Sequence, residues 1–147
     1  MAFLNSINIS ASGLTAEKLR MDVISRNIAN VNTTRTAEGT PYRRQVVVFR
    51  EGEGSTPFSE YLSDASRRLI GAGVKVTGIK EDKTPFKSVY DPGHPDADEN
   101  GYVKMPNVDI MTEMVNMISA SRAYEANVTA INSTKSMALK ALEIGRR

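Results

Sequence analysis

The chain has 147 residues, room for one modest domain. Hydrophobic residues make up 40% of it and aromatic residues 6%, with no Cys and no Trp; the supply for a globular core is thin, and disulfides, thiol nucleophiles and Cys-based metal sites are excluded. A formal charge of +2, from 19 basic and 17 acidic residues, is too balanced for a nucleic-acid binder, whose basic patch raises net charge.

The first segment, residues 1–34, reads as one long amphipathic helix over residues 1–32. Leu4, Ile7, Ala11, Leu14, Met21, Ile24, Ile28 and Val31 follow steps of three and four, with one weak layer between Leu14 and Met21 where Glu17 and Lys18 stand. Gly13 costs about 1 kcal/mol against Ala in a helix interior, and small residues surround it: Ser10, Ala11, Ser12, Thr15 and Ala16. That composition suits the close approach of a neighbouring helix. Asn5, Ser6, Asn8, Ser10 and Ser12 interrupt the apolar residues, and no basic stretch precedes them, so a cleavable signal peptide is not expected. No run approaches the 18 or more apolar residues of a membrane span, and no membrane insertion is expected.

Residues 35–106 change character. Asn30, Asn32, Thr33, Thr34 and Thr36 form a polar run that closes the helix, and Gly39-Thr40-Pro41 marks a turn. Tyr42–Arg50 is β-rich through Val46, Val47, Val48 and Phe49 and reads as a strand; Glu51–Pro57 is a Gly-rich loop; Phe58–Arg68 is ambiguous. Gly73–Glu81, with Val74, Val76 and Ile79, is the second strand. Tyr90–Asn100 reads as loop, and Tyr102–Met105 as a brief third strand. Two or three such strands make a small β-rich lobe.

Residues 107–147 hold a second long helix, from about 108 to 144. Ile110, Met114, Met117, Ser121, Tyr124, Val128, Ile131, Lys135, Ala138 and Leu142 alternate steps of four and three, a heptad seam with Ser121 and Lys135 as polar breaks. Met111, Val115 and Ile118 add a second apolar stripe that a two-helix seam leaves uncovered, and exposed patches of that kind mark protein contacts. Asn107 or Asp109 can cap the start after Pro106, and Gly145-Arg146-Arg147 suits the stop. At 1.5 Å per residue the helix spans about 55 Å. The expected fold is mainly α, with the two terminal helices packed as an antiparallel coiled-coil pair beside the β-rich lobe.

Catalytic chemistry finds no foothold, and no enzyme activity, cofactor or metal is expected. His94 is the only histidine and lies in Asp91-Pro92-Gly93-His94-Pro95, a turn. Gly52-Glu53-Gly54-Ser55 lacks the Gly-Lys-Ser/Thr ending of a phosphate loop. Asp96, Asp98, Asn100 and Gly101 match the start of a calcium loop, but its bidentate Glu is replaced by Asn107, and Pro92 and Pro95 forbid the entering helix.

Longer motifs carry a family likeness. Ser10-Ala11-Ser12-Gly13-Leu14, then Asn27-Ile28-Ala29-Asn30-Val31-Asn32-Thr33-Thr34, followed by Tyr42-Arg43, stand near one end. Asn107-Val108-Asp109, Glu113-Met114-Val115, Met117-Ile118 and Ser121-Arg122-Ala123-Tyr124-Glu125-Ala126-Asn127 stand near the other, before Ala141-Leu142-Glu143-Ile144-Gly145-Arg146. The chain resembles the bacterial flagellar axial proteins of rod and hook, and its short length suits a proximal rod subunit. The resemblance implies a structural subunit of the basal-body rod that crosses the periplasm, part of a torque-transmitting shaft and export-channel wall. Polymerisation would run through Leu4–Val31 and Ile110–Leu142, with Asn27, Asn30 and Asn32 satisfying backbone groups at the first helix's end and Arg122, Tyr124, Glu125 and Asn127 making polar contacts between subunits. Implied partners are copies of the chain, other proximal and distal rod proteins, the adaptor joining the rod to the export gate and membrane ring, and the flagellar type III export apparatus. Export by that route needs no cleaved signal. Alternative readings are another short proximal rod protein, or a coiled-coil adaptor or chaperone.

Overall fold

The computed structural model describes residues 2–52 and 73–145, with side chains from Asn5 onward. The order is α1 (Ala2–Ala29), β1 (Gln45–Glu51), β2 (Val74–Glu81), β3 (Lys87–Tyr90), β4 (Tyr102–Met105) and α2 (Ile110–Ile144). Two long helices thus flank a small β region, as the periodicity predicts. The ambiguous Phe58–Arg68, most of the Gly-rich loop with its phosphate-loop comparison, and Arg146-Arg147 lie outside the described residues.

α1 stops at Ala29, short of the expected Asn32. The cause is local. The Asn30 amide donates to the Arg26 carbonyl (2.9 Å), and the backbone tightens, with Val31 N–H on the Ile28 carbonyl and Thr33 N–H on the Asn30 carbonyl. α2 starts on Asp109, whose carboxylate accepts from the Thr112 N–H (3.1 Å) and the Thr112 hydroxyl (2.5 Å). The hydroxyl bond first, then the N–H, holds this carboxyl below the usual aspartate range.

The strands form two two-stranded sheets, β1 with β2 and β3 with β4. β3 pairs antiparallel with β4, Val89 opposite Val103 and Tyr90 opposite Tyr102, the two rings meeting edge to face at 5.3 Å. β3 corrects the loop reading that began at Tyr90. Lys87-Ser88-Val89-Tyr90 is exposed throughout, so it carries no alternation, and only its pairing makes it a strand. Between Asp98 and Tyr102 the chain reverses tightly at Gly101, with φ +77°; a Cβ there would meet the Tyr90 ring at 2.9 Å.

The chain divides into two compact units. Leu19–Val48 and Gly78–Ala120 make one, which we call the clasp unit. It buries Val23, Ile24, Val103, Pro106, Val108 and Ala120, and with them the polar Asn27 and Glu113. Met1–Lys18, Phe49–Thr77 and Ser121–Arg147 make the other. There Ala16 is buried, and two close approaches organise the described residues. Ser12 Oγ accepts the Val74 N–H (3.0 Å) and donates to the Ile9 carbonyl, while Gly73, at φ +69°, lies against it. Gly13 faces Asn127, whose side chain would stand 3.1 Å from an added Cβ.

The covered face of α2 differs from the expected seam. Met117, Tyr124, Ile131 and Ala138 are covered as expected, but the alternate positions go to Glu113, Ala120, Asn127 and Thr134, while Ile110, Met114, Lys135 and Leu142 are exposed. Two places move back by one residue, from Met114 and Lys135 to Glu113 and Thr134, whereas Ser121 and Val128 stay half-covered beside Ala120 and Asn127. An ion pair claims one of these positions and the approach to Gly13 another, so apolar spacing alone misplaces the seam.

Candidate assembly interface

The clasp unit is built around Asn27. Its side-chain amide is fully engaged: Nδ2 donates to the Gln45 carbonyl (2.8 Å) and Glu113 Oε2 (2.8 Å), and Oδ1 accepts from the Gln45 N–H (3.0 Å) and the Tyr42 hydroxyl (2.9 Å). Towards β1 it therefore behaves as one residue of a neighbouring strand. Glu113 is 1% exposed. Besides Asn27, it accepts at Oε1 from Arg44 Nε (3.0 Å) and Nη2 (2.8 Å). Arg44 continues to Asp82 through Nη1 (3.2 Å), and its backbone is held on both sides, N–H to Asn107 Oδ1 (2.8 Å) and carbonyl to the Asp82 N–H (2.8 Å). Asn107 Nδ2 then ties the Asp82 and Thr84 carbonyls and the Thr84 hydroxyl. Arg43 reaches Asp82 and Thr84 carbonyls as well and lays its guanidinium over the Phe86 ring, 4.4 Å from its centre.

The charges fit this arrangement. Burial pushes the Arg44 guanidinium towards neutrality, but the Glu113 and Asp82 carboxylates outweigh it and raise its pKa. The Thr84 N–H and then Arg44 hold Asp82 below the usual aspartate range. Burial raises the Tyr42 phenol. Elsewhere in the same unit, the calcium-like turn spends its carboxylates on the protein itself. Asp98 accepts the Asn100 and Tyr102 N–H groups, and Asp96 takes the Thr34 hydroxyl (2.8 Å) with Arg35 at 3.9 Å. His94 Nδ1 accepts the Asp96 N–H. Among the described residues no cluster of His, Cys, Asp or Glu has metal-holding geometry.

The residues that sequence reasoning assigned to an interface fall into separate groups. Ile24 and Asn27 are buried, so Asn27 grips a strand inside its own chain. Ile7, Gly13, Leu14, Met21, Ile28, Asn30, Met117, Tyr124, Asn127, Val128, Ile131 and Ala138 are half-buried; Leu4 lies in α1, its side chain outside the described ones. Ala11, Asn32, Arg122, Glu125 and Leu142 are exposed, with Arg122 and Glu125 paired along α2 at 3.1 Å. Met111, Met114, Val115 and Ile118 form an outward apolar stripe, 72%, 51%, 64% and 61% exposed. The clasp set of Tyr42, Arg44, Asp82, Asn107 and Glu113 escaped that reasoning. Its one local signal is Glu113, a lone charge within the apolar stretch from Ile110 to Ile118.

Comparison with known proteins bears on both the clasp and the stripe. The family described as "Flagella basal body rod protein" matches residues 7–35, and the one described as "Flagellar basal body rod FlgEFG protein C-terminal" matches residues 99–144. Over its whole length the chain is similar to the flagellar basal-body rod protein FlgC of Borreliella burgdorferi, 52% identical with 98% of each chain covered. That of Bacillus subtilis is 49% identical, with 99% of this chain and 100% of the relative covered, and that of Salmonella typhimurium 44% with the same coverage. The chain belongs to the FlgC flagellar basal-body rod proteins. The two matched segments hold Asn27 on one side and Asn107 and Glu113 on the other. In this FlgC chain the two terminal signatures therefore meet through Asn27 and Glu113, 2.8 Å apart.

Proposed function

We propose that the chain is a structural, non-catalytic subunit of the proximal flagellar rod, and that it polymerises through the outer faces of its terminal helices. The observation that carries this is the stripe Met111, Met114, Val115 and Ile118: four large apolar side chains on successive turns of α2, more than half exposed and backed on the opposite face by the buried Glu113 and Ala120. Methionine suits a surface that must adapt to several neighbours. A heterologous contact that does not close on itself generates a shaft.

The two helices pair antiparallel in this reading. Within one unit Asn27 of α1 meets Glu113 of α2, and within the other Gly13 of α1 approaches Asn127 of α2, so each unit holds a stretch of both helices. Family membership supports the surroundings: the rod within the periplasm, other rod proteins, the adaptor at its base and copies of the chain as neighbours, and the type III apparatus as the export route. Among the described residues no helix is long and apolar enough to cross a membrane.

Complementation of a flagellated host lacking its own copy tests the proposal. The wild-type chain restores swimming. Ile118→Asp, on an exposed site, is secreted and folds but leaves basal bodies without a completed rod. Swimming at the wild-type rate by Ile118→Asp, or by Val115→Asp with Ile118→Asp, overturns the stripe as the interface.

A further inference from the structure

We propose that Met111 and Met114 form a paired oxidation site, through which a peroxide blocks assembly of subunits not yet built into a shaft. The inference rests on the assembly reading and adds chemical control of the same stripe. Among the described residues, Met21, Met105 and Met117 are half-buried, whereas Met111, Met114 and Met137 are 72%, 51% and 63% exposed. A thioether reacts where its sulfur can be reached, so the exposed three oxidise first. Met137 belongs to one compact unit, and Met111 and Met114 to the other, beside Val115 and Ile118 on the stripe.

The chemistry is a two-electron oxygen transfer. A sulfur lone pair attacks one oxygen of hydrogen peroxide, the O–O bond breaks, and the displaced oxygen takes up a proton and leaves as water. The thioether becomes a sulfoxide and the peroxide is reduced. The product is polar where the contact must be dry. Its oxygen is a strong acceptor, and burying an acceptor without a donor is unfavourable. The stripe supplies none: Val115 and Ile118 carry no polar group, and the neighbouring Thr112 hydroxyl already donates to Asp109. Met111 and Met114 stand three residues apart on one helix face, so both oxygens enter the same contact. The fold is spared, because buried Glu113 and Ala120 hold α2 from the opposite face. Subunits already in the shaft would keep these sulfurs covered, so the reaction selects free chains. Reductases for each sulfoxide epimer make the block reversible.

The test exposes the full-length chain to hydrogen peroxide and maps the added oxygen by peptide mass spectrometry. Met111, Met114 and Met137 should be modified before Met21, Met105 and Met117. Self-association, followed by sedimentation velocity, should weaken at least about tenfold, and equally in Met137→Leu, with the far-ultraviolet spectrum unchanged. Reductases for both epimers should restore it, which irreversible damage would not allow. Met111→Gln with Met114→Gln places an uncharged polar mimic at both sites and serves a chain that associates only within the rod. A host lacking its own copy should not swim with that pair, and should swim with Met137→Gln. Association retained once Met111 and Met114 both carry oxygen, protection by Met137→Leu, or swimming at the wild-type rate with the glutamine pair overturns the proposal. Swimming by Ile118→Asp would sink the assembly reading and this inference with it. Loss of swimming by Ile118→Asp beside a motile glutamine pair sinks this inference alone.

Discussion

Glu113 is the residue on which the clasp unit turns, and its replacement has a calculable sign. Removing one partner of a buried pair costs about 3–5 kcal/mol because the other charge is left unpaired. Arg44 keeps 23% of its side chain exposed and retains Asp82, so Glu113→Ala should cost about 2–3 kcal/mol, at or below the lower end of that range. Urea unfolding of the purified chain measures it. Glu113→Leu with Arg44→Met should recover only part of the loss: neither charge of that pair is left behind, but the buried Asn27 amide loses its Glu113 acceptor and Asp82 its guanidinium. Acid titration adds a second expectation. Asp82 and Asp109 have folded pKa values below their ordinary ones. Each therefore contributes stability that is present above about pH 4 and fades as pH falls through the lower folded value. Asp82→Asn should flatten the decline of Tm below that pH, and an unchanged decline would remove Asp82 from the account. None of this is legible in the sequence as a cluster, because the partners lie up to 86 positions apart. What can be read is that Asn27 serves backbone groups; that those groups belong to a strand and not to its own helix end depends on tertiary contact.

At the scale of elements, the long helices were legible because 3.6-residue periodicity repeats over many turns, and β2 because Val74 and Val76 alternate at its start, with Ile79 following. β3 was not, since nothing in Lys87-Ser88-Val89-Tyr90 distinguishes it from loop until β4 lies beside it. The seam of α2 was partly misplaced for a related reason: Glu113 and Thr134 hold covered positions that an apolar pattern assigns to Met114 and to the next heptad place, Lys135. Glycine explains more here than hydropathy. Gly73 has φ +69°, and a Cβ on it would stand 2.3 Å from Ser12 Oγ. Gly73→Ala should therefore cost about 1–3 kcal/mol, read as a fall in Tm, through strain at positive φ and displacement of the hydroxyl that holds the Val74 N–H. Ser12→Ala should relieve only the crowding share, so the double variant should recover less than the whole loss. Gly13 is a milder case. Alanine there gains about 1 kcal/mol of helix propensity against a contact at 3.1 Å with an Asn127 amide tethered to the Ala123 carbonyl. Gly13→Ala should be near neutral, and Gly13→Val destabilising unless Asn127 is shortened to Ala. A double-mutant cycle reports that coupling.

For the whole molecule, the two kinds of surface on α2 divide the labour. The covered face is polar where it matters, with Glu113 and Asn127 satisfied inside the chain, and such contacts fix geometry. The outward face is apolar over Met111, Met114, Val115 and Ile118 and polar beyond, where Arg122 and Glu125 already pair with each other. In the proposed assembly, contact through the first part would be driven by removal of apolar area from water, whose signature is weakening on cooling and strengthening by excluded salts. Self-association of the purified chain, followed by sedimentation velocity, should therefore rise between 5 and 30 °C (about the range where that driving force grows) and rise again with sulfate. Sodium chloride at about 0.5 M should change it little, because screening acts on exposed charges and the stripe has none. Ile118→Asp should abolish the temperature dependence while leaving the far-ultraviolet spectrum and Tm intact, since the side chain it replaces is exposed. Association that instead falls with sodium chloride and survives Ile118→Asp would assign the contact to the charged faces and leave the stripe without an assembly role.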